Sequence, residues 1–319
     1  MLRSTSITAL KIAATVLLLY LFIRRTDFSG VIAALSRLSL GLIVALAVVN
    51  VLAILISAYK WGMLLPEAKF SALAVACFAS YYIALLLPGQ LAQEAAKAYY
   101  LSRGQSPKMH RIAASVVVDK IVSVIGLLVV GCFGLALSET QLPQSLTWLF
   151  VVAASIAILS LFSLRALWIY SQACRVLVRL GVLLPRLERF FEGGSRVFEA
   201  WHTYSKNLSL LAVNILLGAA YQFVGVLIFY LLSRALQIPI GFFDWSWIVG
   251  ALTLALFLPL TIGGLGVREG TLIGILAMYG CSKETAIALS FVAFSFVLML
   301  AIIGAALSFT MKASRSAAQ

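Results

Sequence analysis

Charge is scarce in this chain: of 319 residues, 24 are Lys or Arg and 11 are Asp or Glu, so only 11% are charged. Soluble domains carry about a quarter, and a water-solvated surface over the whole length is excluded. Cysteine is scarce as well. The four, Cys77, Cys132, Cys174 and Cys281, are scattered without a CxxC, which indicates neither a disulfide framework nor a metal knuckle. The two histidines, His110 and His202, have no metal-ligand partners at useful spacing. GxxxxGK[ST] is missing, so no nucleotide-driven pump is implied, and neither a GxSxG elbow nor a clustered carboxylate pair occurs. A membrane glycosyltransferase would show acidic residues at the start of an outer loop, where only Asp27 stands. These absences argue against an enzyme, and no cofactor is implied.

What is abundant is apolar sequence, at 63% of residues and a mean hydropathy of +1.06. A spanning helix needs about 20 residues. The runs predict six full spans, Ile7–Ile23, Leu40–Ala58, Ile112–Leu137, Leu146–Tyr170, Leu208–Leu232 and Thr285–Met311. The first ends in Arg24-Arg25 without a small-residue cleavage pattern, so it is expected to be retained as an anchor rather than removed as a signal peptide.

Two further regions, Ser71–Leu101 and Trp245–Gly280, are apolar but interrupted. In the first, Pro88-Gly89 breaks one helix and a second begins, carrying Gln90, Gln93, Glu94 and Lys97 at i, i+3, i+4 and i+7, on one face. In the second, Pro259 precedes Gly263, Gly264 and Gly266, which allow a sharp turn or close approach to a ligand, and Arg268-Glu269 open a new helix. The free N–H groups and dipole of that helix start favour an anion, and Arg268 adds a full charge. Asp119-Lys120 falls about two turns into the span that starts at Ile112, within the hydrocarbon or facing a cavity. Polar residues at such depth mark a site when they face a cavity. Each set also has a structural reading: Glu94 with Lys97, or Arg268 with Glu269, could be ion pairs that only fix the packing, and Asp119 is more readily structural. Asn50, Asn214 and Gln222, inside spans, are expected to make interhelical hydrogen bonds.

If both interrupted regions dip into the membrane and return, 17 basic residues fall on the side of the N-terminus and five (Arg24, Arg25, Arg37, Arg234, Lys283) on the other. That bias predicts cytoplasmic termini in the cytoplasmic (inner) membrane. Span, broken hairpin and span then recur at offsets of 168, 171 and 173 residues, from Leu40 to Leu208, Pro88 to Pro259 and Ile112 to Thr285, with opposite starting sides. This predicts an all-α polytopic membrane protein with inverted-topology repeats, about six full transmembrane helices plus two re-entrant helical hairpins. Repeat one covers about 7–137 and repeat two about 146–170 plus 208–311. Between them, 171–206 is expected to hold an amphipathic connector on the cytoplasmic surface. The formal charge of +13 lies in short loops beside the membrane, so anionic lipid rather than nucleic acid is the expected partner. A homo-oligomer is left open.

PGQLAQEAAKAYYLSRG, ASVVVDKIVSVIGLL and LPLTIGGLGVREG resemble the signature blocks of the flippase-like family that includes the transmembrane part of lysylphosphatidylglycerol synthase. Pro88, Gly89, Leu91, Glu94, Lys97 and Leu101 match the first block, while Gln90, Ala92 and Gln93 stand where glycines are usual. The resemblance implies lipid movement. Aminoacylated phosphatidylglycerol is the best-known cargo of fused members, and stand-alone members are associated with phospholipid, polyprenyl-phosphate-linked or hopanoid lipids. In that reading Lys97 and Arg268 hold a phosphate and Gln90 and Gln93 bond the remainder. The alternative is a lipid-binding scaffold or accessory subunit of an envelope-lipid enzyme, docking through Arg175–Lys206.

Overall fold

The computed structural model describes residues 28–86, 90–103, 109–138, 144–163, 171–172, 175–176, 179, 195, 202–204, 206–258, 261 and 263–316. Among them are ten helices and no strand: α1 Phe28–Leu35, α2 Leu40–Leu64, α3 Phe70–Leu86, α4 Gln90–Ser102, α5 Met109–Leu137, α6 Gln144–Ser163, α7 Leu208–Ala235, α8 Phe242–Phe257, α9 Val267–Ala277 and α10 Lys283–Ser316. Among the described residues, four stretches are long and apolar enough to cross a membrane: α2, α5, α7 and Lys283–Ser308 of α10. They coincide with four of the six expected spans. Of the others, Ile7–Ile23 lies outside the described residues, and α6 covers the first part of Leu146–Tyr170. Pro88, Gly89 and Pro259 lie outside them as well, as does most of the expected amphipathic connector over 171–206.

Helix ends follow local chemistry. The Ser39 hydroxyl accepts from the Leu42 N–H at 3.2 Å to start α2, and Asn207 Oδ1 accepts from the Leu210 N–H at 3.1 Å to start α7. Each cap satisfies one of the donors that a helix start leaves orphaned. Before α9 the chain turns through Gly263, Gly264 and Gly266 at φ 63°, 72° and 87°. A side chain is disfavoured at such angles, and a Cβ at Gly264 would also stand 2.6 Å from Leu256 Cδ2.

Because lipid tails are as apolar as leucine, helices in a bilayer associate through close packing more than through the hydrophobic effect. The outward faces fit that solvent: Leu40, Leu216 and Ile302 are 76%, 69% and 70% exposed. Inward, α10 lies along α3, and α5 lies along both α7 and α8. Glycines set the approach. A Cβ at Gly126 of α5 would stand 2.6 Å from the Ala219 nitrogen of α7, and one at Gly304 of α10 would collide with the Phe78 carbonyl of α3. The buried ring of Phe150 on α6 fills the space above Gly131 of α5 and Gly250 of α8.

Gly304→Val is expected to destabilise the protein by the cost of overpacking, about 1–3 kcal/mol. Gly274→Ala, where an added methyl meets nothing within 4 Å, is expected to leave stability unchanged or slightly raised. Thermal unfolding in detergent checks both, and a Gly304→Val variant as stable as the parent would refute the α3–α10 crossing.

Candidate functional site

The short helix α4 turns Glu94 and Lys97, each less than a tenth exposed, towards α5. There they meet Asp119 and Lys120, and α2 brings Lys60 to the same place. The result is one chain of five charges drawn from three helices. Lys60 Nζ lies 2.7 Å from Asp119 Oδ1. Asp119 Oδ2 lies 3.7 Å from Lys97 Nζ. Lys97 Nζ lies 3.0 Å from Glu94 Oε2, and Glu94 Oε1 lies 3.2 Å from Lys120 Nζ. Ser123 supports the Lys60 end, accepting from Lys60 at 2.5 Å and donating to the Asp119 carbonyl at 2.6 Å. At the next residue of α2, the Trp61 indole donates to Ser115 at 3.0 Å and fixes α2 on α5. Lys120 also sits 4.3 Å from the ring centroid of Phe257 at the end of α8, a cation–π contact that joins the network to the second half of the chain.

Across from these lysines, Arg268 in the first turn of α9 lies with its guanidinium 4.6 Å from the Phe294 ring centroid of α10. Its Nη2 donates to the Gly263 carbonyl at 3.3 Å. Glu269 lies beside it, with Oε1 3.6 Å from Arg268 Nε, and its carboxylate accepts from the Gly266 N–H and from the Ser290 hydroxyl, both at 2.6 Å. It therefore caps α9 and ties it to α10.

Between the two walls lies a cavity of about 370 Å³. Gln93, Glu94, Lys97, Asp119, Lys120, Gly263, Gly264 and Arg268 all line it. Of the remaining sequence candidates, Gly266 and Glu269 lie behind the turn as its cap, and Gln90 opens α4 with its side chain outside the described residues. The charged lining comprises four cations (Lys60, Lys97, Lys120 and Arg268) against two carboxylates (Glu94 and Asp119), an excess of two positive charges, one of which Glu269 offsets from behind Arg268. The rest of the lining is largely apolar, including Leu85, Leu256 and Phe296. The arrangement offers an anion charge and hydrogen-bond donors among apolar side chains, where a low dielectric strengthens both.

Lys60 is the member that sequence reading missed, since the span was expected to end at Ala58. The signal was there, because Trp61, Met63, Leu64 and Leu65 continue the apolar run past the charge. Tyr81 of α3 and Tyr221 of α7, whose hydroxyls stand 3.5 Å apart at the cavity, were also missed. The asparagines require a correction. Asn50 and Asn214 do not bond across helices; their amides donate to Leu46 and Leu210 of their own helices, at 2.8 and 3.0 Å. A side-chain amide reaches the carbonyl four residues back more readily than a neighbouring helix. Asn50 and Gln222 line the cavity.

Long apolar helices around a buried, cation-rich cavity define a multi-pass membrane protein with an internal polar site. The chain belongs to the family of the lysylphosphatidylglycerol synthase TM region, whose model matches residues 8–304. No curated protein and no solved structure matches it.

Removing one partner of a buried ion pair costs about 3–5 kcal/mol, whereas replacing both with apolar groups of similar volume is often neutral. Asp119→Leu alone, which strands Lys60, is therefore expected to lower thermal stability sharply, Lys60→Met alone less so because Asp119 keeps Lys97 at 3.7 Å, and the double variant to recover most of the loss. A double variant that shows the sum of the two single losses would mean that the pair does not couple.

Proposed function

We propose that this protein is a lipid transporter, not an enzyme, that moves a phosphate-containing lipid between the leaflets of the cytoplasmic membrane. The head group would pass through the cavity while the tails stay in the bilayer. The observation that carries this reading is the excess of positive charge in the buried cavity. A phosphate alone in hydrocarbon would lose its hydration at a cost of tens of kcal/mol. Lys97 and Arg268, with the start of α9, replace that hydration with fixed donors, and Gln93 lies within the same lining to bond the rest of the head group. Because three lysines share two carboxylates, an arriving phosphate can take a place in the network without leaving any carboxylate unpaired.

In this reading α3–α4 and α8–α9 are re-entrant pairs within inverted repeats, about 7–137 and about 146–170 plus 208–311. Two features support it. First, α3, α4, α8 and α9 have 17, 13, 16 and 11 residues. At 1.5 Å per residue each falls short of the roughly 30 Å hydrocarbon core. Second, the packing is exchanged between halves: α10 of the second half lies on α3 of the first, and α5 of the first lies on α8 of the second. Paired broken helices at matching positions are where transporters of inverted-repeat design place their sites. The excess of basic residues on one side puts both termini in the cytoplasm. A carboxy-terminal alkaline phosphatase fusion is then expected to be inactive; an active fusion would reverse the assigned orientation.

The experiment for transport uses phosphatidylcholine liposomes containing tail-labelled phosphatidylglycerol, with the outer leaflet quenched by dithionite. The parent protein is expected to expose the inner-leaflet label. A folded and inserted Lys97→Gln/Arg268→Gln variant is expected to do so at least about tenfold more slowly, given the 1.5–3 kcal/mol of each charged hydrogen bond. Equal rates would show that the cavity is not the route.

A further inference from the structure

Two polar groups on the second-half wall of the cavity have no hydrogen-bond partner in the protein. Thr261, just ahead of the glycine turn, is 3% exposed, and its Oγ1 makes no hydrogen bond. Arg268 is 5% exposed, and its Nε makes none either. The nearest carboxylate oxygen, Glu269 Oε1, stands 3.6 Å from that Nε. Glu269 thus forms an ion pair with the guanidinium at a separation longer than a hydrogen bond, while its two oxygens accept from Gly266 and Ser290. Phe294 and the Gly263 carbonyl hold the guanidinium in place. Both residues line the same cavity. On the opposite wall the situation differs, since Lys60, Lys97 and Lys120 each meet a carboxylate within 3.2 Å.

A buried donor without a partner costs about 1–3 kcal/mol. Valine has nearly the shape of threonine and would avoid that cost, so the hydroxyl at Thr261 weakens the empty protein. We propose that Thr261 Oγ1 and Arg268 Nε together form a phosphate subsite at the start of α9, with Thr261 as a specificity-determining ligand. The inference rests on the reading above that the cavity takes a phosphate-containing head group, and it places that phosphate on the α9 wall. A tetrahedral phosphate presents several acceptor oxygens, enough to take a hydroxyl donor and a guanidinium N–H at once. The N-terminal dipole of the 11-residue α9 adds to the attraction.

Binding of inorganic phosphate and of dihexanoyl-phosphatidylglycerol to the purified full chain tests the subsite, with dihexanoylglycerol as the phosphate-free control. Thr261→Val is expected to raise Kd for both phosphate probes about tenfold, as loss of a hydrogen bond to a charged group would, and to leave the control unchanged. Without ligand the same variant is expected to unfold at the parent's temperature or above, because an unpaired hydroxyl has gone. Thr261→Ser, which keeps the hydroxyl, is expected to bind as the parent does. The subsite is overturned if Thr261→Val binds both probes like the parent, if Thr261→Ser binds no better than Thr261→Val, or if Thr261→Val loses stability together with affinity. Binding of the phosphatidylglycerol probe alone supports the subsite with lipid as the source. Binding of inorganic phosphate alone supports the subsite and contradicts a lipid cargo. A parent that binds neither probe contradicts the transport reading itself.

Discussion

The structure depends on Asp119. A carboxylate this deeply buried must be matched by cations, and Asp119 meets two: Lys60 from α2 and Lys97 from α4. Since α5 carries the carboxylate, the three helices can pack only in the register that brings these atoms together. Glu94 extends the match to Lys120, and Lys120 reaches Phe257 of α8. Electrostatic satisfaction in a medium without water thus fixes how the first half of the chain folds around its short helix and where the second half meets it.

The same network leaves a surplus. Three lysines share two carboxylates, and Arg268 stands opposite, 3.6 Å from a Glu269 carboxylate that also caps α9. The protein is therefore neutralised where packing requires it and positive where the cavity opens between the walls. Glycines allow this by close backbone approach: Gly126 and Gly304 bring helices together around the cavity, and the positive-φ glycines before α9 turn its start towards it. The small residues belong to the scaffold and the charged residues to the hollow that the scaffold encloses.

Much of this was legible in the sequence because lipid makes polar residues conspicuous. The four long spans follow from apolar runs, and Gln93, Glu94, Lys97, Asp119, Lys120, Gly263, Gly264 and Arg268 stood out as polar or flexible residues in apolar surroundings; all of them line one cavity. What could not be read was pairing. Glu94 could be matched with Lys97 from their spacing on one helix, but the joining of Asp119 to Lys60, 59 positions away, depends on how α2 crosses α5. Glu269 looked like a site residue, yet its carboxylate serves the backbone of its own turn. Asn50 and Asn214 bond within their helices, because spacing along the chain says which carbonyl is near but not whether a neighbouring helix is nearer.

The central claim is that the cavity between α4–α5 and α9 receives a phosphate-bearing head group. A phosphatidylglycerol carrying a photoactivated diazirine on its head group, incorporated in nanodiscs with the protein and followed by mass spectrometry of the labelled residues, tests this most directly. The account predicts labels on cavity-lining Tyr81, Glu94 and Tyr221. Labels confined to outward-facing residues such as Leu216 and Ile302 would contradict it.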